Sequence, residues 1–92
     1  MKIKINDKEI ELKQTIRSLI IYENITGQSM LQPQTMEDVL TYFFCVVLGS
    51  SKDYSIKYED FLDVIDDNPS VIQEFTEWMR EQAEKNETLK KN

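Results

Sequence analysis

Residues 35–51 read TMEDVLTYFFCVVLGSS, and this stretch decides the fold. Met36, Val39, Leu40, Phe43 and Val47 recur at helical spacing. Tyr42, Phe44 and Val46 make the opposite side apolar as well. A helix that is apolar nearly all round is either central in a bundle or shared between subunits. Thr35 supplies a hydroxyl for the free N–H groups of the first turn, and Asp38 follows three residues on, close to a capping box. Gly49-Ser50-Ser51 is expected to end the helix, which therefore covers about 36–49. The nearly unbroken apolar run from Val39 to Leu48 is about half of the ~20 residues needed to cross a bilayer. It reads as a buried helix, and no membrane association is expected.

Upstream of that helix, residues 2–13 alternate. Ile3, Ile5, Ile10 and Leu12 are separated by Lys, Asn, Asp and Glu, which is the period of two strands with one apolar face. Asn6-Asp7-Lys8 supplies the turn, because Asn and Asp tolerate tight-turn backbone angles. A two-stranded hairpin is marginal alone, so its Ile/Leu face must pack on helices. A helix over about 15–26 follows, with Ile16, Leu19, Ile20 and Glu23 on one stripe and Ile21, Tyr22 and Ile25 widening it. Gly27 is its stop signal. Residues 28–34 form a polar loop containing Pro33.

Downstream, a shorter helix over about 56–66, started by Asp53 or Ser55, turns Tyr58, Phe61, Leu62 and Ile65 inward. Asn68 as cap with Pro69 at the first helical position starts a last helix over about 69–85. Ile72, Phe75, Met79, Ala83 and, in part, Trp78 share one side of it. Glu74, Glu77, Arg80, Glu81 and Glu84 share the other. Residues 86–92 lack an apolar face and are expected to fray. The expectation is one mainly α domain over residues 1–85, an N-terminal β-hairpin followed by a compact bundle of about four helices.

Composition narrows the function. The 92 residues include no His, so Ser-His-Asp and Cys-His nucleophiles and His-ligated zinc are excluded. With Gly27 and Gly49 as the only glycines, there is no Gly-rich phosphate loop. No catalytic residues, cofactor or metal are expected, and the chain does not read as an enzyme. Asp66, Asn68, Ser70 and Glu77 match offsets of a calcium loop. Val71, however, stands where that loop needs Gly, and Pro69 favours a helix there. Asp60, Asp63, Asp66 and Asp67 read better as solvated helix ends. Cys45, the single cysteine, lies in FFCVV as a small buried hydrophobe. With no disulfide framework and no apolar signal core in MKIKINDKE, a cytoplasmic setting fits.

The formal net charge is −6, and it is unevenly spread. Residues 1–46 carry 5 basic and 6 acidic groups, residues 47–92 carry 6 and 11. That balance opposes direct nucleic-acid binding, which requires Lys and Arg along phosphates. It reads as a solubilising exterior. Four residues are candidate partner contacts. Tyr42 and Phe44 lie on the back of the central helix, and Trp78 and Met79 at the edge of the last one, where Trp is a common interface anchor. Either other helices surround residues 42–44 or a second copy covers them.

The order of features resembles the tail assembly chaperones of long-tailed phages and prophages. The resemblance rests on Tyr22-Glu23-Asn24-Ile25-Thr26-Gly27, matching a hydrophobic–Glu–x–x–Thr–Gly phrase. It also rests on the helix ending before a small-residue loop, on Ser55 with Glu59 or Asp60 and Phe61, and on Asp66 to Pro69. It spans roughly residues 2–82. It implies a non-enzymatic protein that binds and solubilises the helical, hydrophobic tape measure protein and recruits tail tube protein. It further implies self-association, work in the bacterial cytoplasm and absence from the mature virion. The alternatives are a small acidic inhibitor or DNA mimic, and a regulatory protein-interaction adaptor.

Overall fold

The computed structural model describes residues 1–27, 35–51 and 56–90, apart from the side chains of 85–90. An N-terminal antiparallel hairpin is followed by four helices, in the order β1 (Lys2–Ile5), β2 (Lys8–Glu11), α1 (Ile16–Thr26), α2 (Met36–Ser51), α3 (Tyr58–Asp67) and α4 (Ser70–Lys90). The expected loop 28–34 and the expected helix starters Asp53 and Ser55 lie outside the described residues.

The hairpin pairs Ile3 with Ile10 and Ile5 with Lys8. Its turn is shorter than the sequence suggested. Asn6 and Asp7 alone make it, with φ of 52° and 65°, and Lys8 already belongs to β2. Positive φ at both central residues is the two-residue turn whose twist suits paired strands. The alternation turns Ile3, Ile5, Ile10 and Leu12 into the core. Two side-chain contacts fix the hairpin on the helices. Asn6 Nδ2 donates to Asp60 Oδ2 at 3.3 Å. Ser50 Oγ accepts from Lys13 N at 2.8 Å and donates to Lys13 O at 3.2 Å.

Helix α2 is the axis of the core. Every residue from Tyr42 to Gly49 is buried. Its aromatic side chains reach three other helices. Phe43 stacks on Phe75 of α4 with ring centroids 4.0 Å apart and meets Phe61 of α3 edge-on at 4.9 Å. Tyr42 meets Tyr22 of α1 edge-on at 5.9 Å. Edge-on and tilted pairs suit the ring quadrupoles and add about 0.5–1.5 kcal/mol beyond area burial. Of the two readings of an all-round apolar helix, the surrounding elements supply the first. Met36 is the exception, exposed at the helix start.

Three expected boundaries shift. Helix α2 continues through Gly49 to Ser51, because Gly49 serves as a contact point rather than a stop. Helix α3 begins at Tyr58, where the Asp60 carboxylate accepts from Lys57 N at 3.4 Å. Helix α4 extends past residue 85 to Lys90, so residues 86–90 are helical rather than frayed; residues 91–92 lie outside the described part. Residues 80–90 contain neither Gly nor Pro and are rich in Arg, Glu, Gln, Ala and Lys, which favour helix without a packed face. At the α3–α4 corner, Asn68 Oδ1 accepts from Ser70 Oγ at 2.7 Å, and Asn68 O and Pro69 O accept from Val71 N and Ile72 N. Among the described side chains of α4, Val71 and Phe75 are buried, with Ile72, Trp78 and Met79 half-buried beside them. Ala83 is exposed, because by that point the helix has left the body.

Candidate functional site

Helix α1 has apolar residues on two opposite faces, and its packing decides which is covered. Thr15, in an extended conformation, caps it by accepting from Ser18 N at 3.2 Å. The Thr15 and Ser18 hydroxyls are paired at 3.0 Å. Ser18 is fully buried and sits against Gly49 of α2. A Cβ on Gly49 would lie 2.7 Å from Ser18 Oγ, 3.2 Å from Ser18 N and 3.3 Å from Thr15 Oγ1. The two helix backbones therefore touch where small residues meet. One turn further along, Tyr22 is the large anchor, buried against Tyr42. Gly27, at φ 73°, ends the helix and donates to Glu23 O at 2.7 Å.

Fixing Ser18 and Tyr22 inward turns the opposite face out. Ile16 is 76% exposed, Leu19 37% and Ile20 52%. These three belong to the stripe that the sequence spacing picks out, and it faces outward. The reason is local. The short Ser18 side chain and Gly49 permit an approach that Ile16 or Ile20 in the same place would block. Single exposed apolar residues are ordinary, whereas three on adjacent turns of one face form a patch. Arg17, Glu23 and Asn24 are the exposed polar residues of the same helix.

The residues singled out from sequence fall elsewhere. Tyr42 is fully buried. Its hydroxyl accepts from Gln14 Nε2 at 3.2 Å, and burial pushes its pKa up against the lowering effect of that hydrogen bond. Phe44 is buried between Tyr58 at 5.2 Å and Phe61 at 5.6 Å. Burial withdraws both rings from the surface. Phe44 lines a pocket of about 250 Å³ together with Ile25, Thr41 and Tyr58. Trp78 and Met79 are half-buried on the core, Trp78 with its ring 5.8 Å from Phe75. The structure thus does not bring these four residues together as one exposed surface.

Cys45 is a buried free thiol, and burial pushes its pKa up to about 11. A thiol held neutral is a poor nucleophile. Asp63, Asp66, Asp67, Glu74, Glu77, Glu81 and Glu84 are exposed. Among the described residues no group of three or more acidic or cysteine side chains is placed to hold a metal ion. None of the helices, as far as they are described, is long and apolar enough to cross a membrane.

The α1 face was missed because both faces of that helix read as apolar in sequence. The signal that separates them is the pair of small residues, Ser18 and Gly49, which marks a close helix crossing. Comparisons with protein-family models, curated proteins and solved structures found no match to this chain.

Proposed function

We propose that this protein is a tail assembly chaperone of a long-tailed phage or prophage, acting in the bacterial cytoplasm. In this reading it binds the tape measure protein, keeps it soluble and recruits tail tube protein. The observation that carries the reading is the outward stripe of α1. Ile16, Leu19 and Ile20 stand uncovered on a chain of net charge −6. A chaperone for an apolar helix needs such an arrangement, with one face to take an i, i+3, i+4 stripe and a charged exterior to keep the complex dispersed. Burying one such side chain fully is worth about 1.5–3 kcal/mol. One stripe therefore makes a weak contact, and strength comes from many copies along one long client. The phrase Tyr22 to Gly27, on which the resemblance rests, is the second half of this same helix and its stop.

Co-expression with the tape measure protein of the same phage or prophage tests the reading. The expected result is a soluble complex that co-purifies with this chain. A tape measure protein that stays equally insoluble with and without the chain would overturn it.

A further inference from the structure

We infer that the outer edge of β2 takes up an extended, basic segment of another protein as a third, antiparallel strand. This does not rest on the proposed function, and the edge is a different surface from the outward stripe of α1. The two-residue turn makes Ile5 and Lys8 a hydrogen-bonded pair, and in this register Ile3 and Ile10 form the next one. Leu12 N donates to Met1 O at 2.8 Å, in keeping with that alternation. The N–H and C=O groups of Glu9 and Glu11 therefore turn away from β1. Among the described residues no backbone group pairs with them. Lys13 continues the row, and there Ser50 stands in for a strand. Its hydroxyl accepts from Lys13 N at 2.8 Å and donates to Lys13 O at 3.2 Å. Alongside Glu9 and Glu11, the edge and the end of α2 border an open groove of about 480 Å³, with Ser50 and Ser51 on its α2 side. An open strand edge is a template for a further strand.

Charge specifies the occupant. The Glu9 and Glu11 side chains stand on the solvent face of the hairpin, 64% and 55% exposed. In an added antiparallel strand the residues opposite them point to the same face, with Cα atoms about 5.5 Å away. Opposite charges at such positions attract and like charges repel. A second copy of β2 would set Glu against Glu, so the edge disfavours its own kind and any acidic strand. Lys or Arg at alternate positions satisfies both carboxylates. It also repeats the order already present, since β1 sets Lys4 opposite Glu9 and Lys2 opposite Glu11. Lys2 Nζ lies 3.4 Å from Glu9 Oε1, and the N-terminal amine 3.8 Å from Glu11 Oε2. These contacts are at exposed carboxylates and weak, and each carboxylate keeps its second oxygen for the added strand. The residue between the two basic ones falls on the inner side, next to Ile10, and is apolar. The net charge of −6 draws a basic segment toward the chain.

Amide chemical shifts of the isotope-labelled chain, titrated with a short blocked peptide of alternating Lys and Val, test this. Backbone bonds at two residues and two exposed charge pairs make a weak contact, so the expected Kd is on the order of 0.1–1 mM. The shifts are expected to centre on Glu9, Glu11, Ser50 and Ser51. Exchanging the Lys residues of the peptide for Glu is expected to weaken binding at least about tenfold. Methylating the backbone nitrogens of those Lys residues keeps the charge, removes the donors to Glu9 O and Glu11 O, and is expected to abolish saturable binding. In the chain, Glu9→Lys with Glu11→Lys is expected to reverse the choice, so that the Glu peptide binds and the Lys peptide does not. The peptide changes leave the chain untouched, so they decide the matter even if that double variant fails to fold. An edge without shifts up to about 5 mM peptide would overturn the inference. So would equal binding of the methylated peptide, which marks attraction by charge alone, or shifts centred on α1.

Discussion

Replacing Gly49 by Ala sets two effects of opposite sign against each other. Gly49 lies inside α2, and Gly→Ala in a helix interior ordinarily stabilises by about 1 kcal/mol. The added methyl would fall 2.7 Å from Ser18 Oγ, 3.2 Å from Ser18 N and 3.3 Å from Thr15 Oγ1. The hydroxyl cannot simply swing away, because Ser18 is fully buried and paired with Thr15. The backbone nitrogen is held by the Thr15 cap. Relief requires α1 and α2 to move apart, and such overpacking typically costs about 1–3 kcal/mol. The net expectation is destabilisation by up to about 2 kcal/mol, a fall of up to roughly 15 °C in Tm for a domain of this size. Urea titration measures it. Ser18→Ala removes the oxygen of the closest contact and costs about 1 kcal/mol alone through the lost hydroxyl pair. The double variant should then be more stable than the sum of the two single changes implies, by about 0.5–1 kcal/mol. A Gly49→Ala chain stabilised by about 1 kcal/mol, as propensity alone dictates, would refute the close crossing and with it the orientation assigned to α1.

Three further outcomes follow from the packing. Asp7→Gly should stabilise the chain by about 0.5–1 kcal/mol in thermal unfolding, since Asp7 sits at φ 65° and Asn-Gly is the preferred pair for this turn. Phe43→Ala should cost about 3–5 kcal/mol in urea unfolding, as its ring joins α2 to both α3 and α4, whereas half-buried Trp78 should cost less on truncation to Ala. Burial raises the Cys45 pKa from 9.0 to about 11, so the unfolded chain releases that proton first. The stability tied to the neutral thiol is complete below pH 9 and is lost as pH rises from about 9 to about 11, to the extent of roughly 3 kcal/mol. Cys45→Ala unfolding profiles should lack that part of the alkaline decline.

The fold was legible where one period dominated. Alternation in residues 2–13 specified the hairpin and its inward Ile and Leu residues. The apolar run 39–48 specified a central helix, and Asn68-Pro69 marked the corner between α3 and α4. Failures came where local signals had two uses. Glycine ends helices, yet Gly49 is inside one, because its missing Cβ is needed for contact with Ser18. Residues 86–90 have no apolar face, yet helix propensity alone continues α4. Tyr42 and Phe44 are buried for a related reason. The side chains that enclose Tyr42 and Phe44, namely Tyr22, Tyr58, Phe61 and Phe75, come from three other helices, which periodicity within one helix cannot register. For α1, periodicity offered two apolar faces, and a serine contact selected between them.

Amide hydrogen exchange on the chain, with and without the tape measure protein, tests the central claim most directly. The account predicts slowed exchange centred on residues 16–26, with the hairpin and the α3–α4 corner little changed. Protection elsewhere with 16–26 exchanging as in the free chain would contradict it.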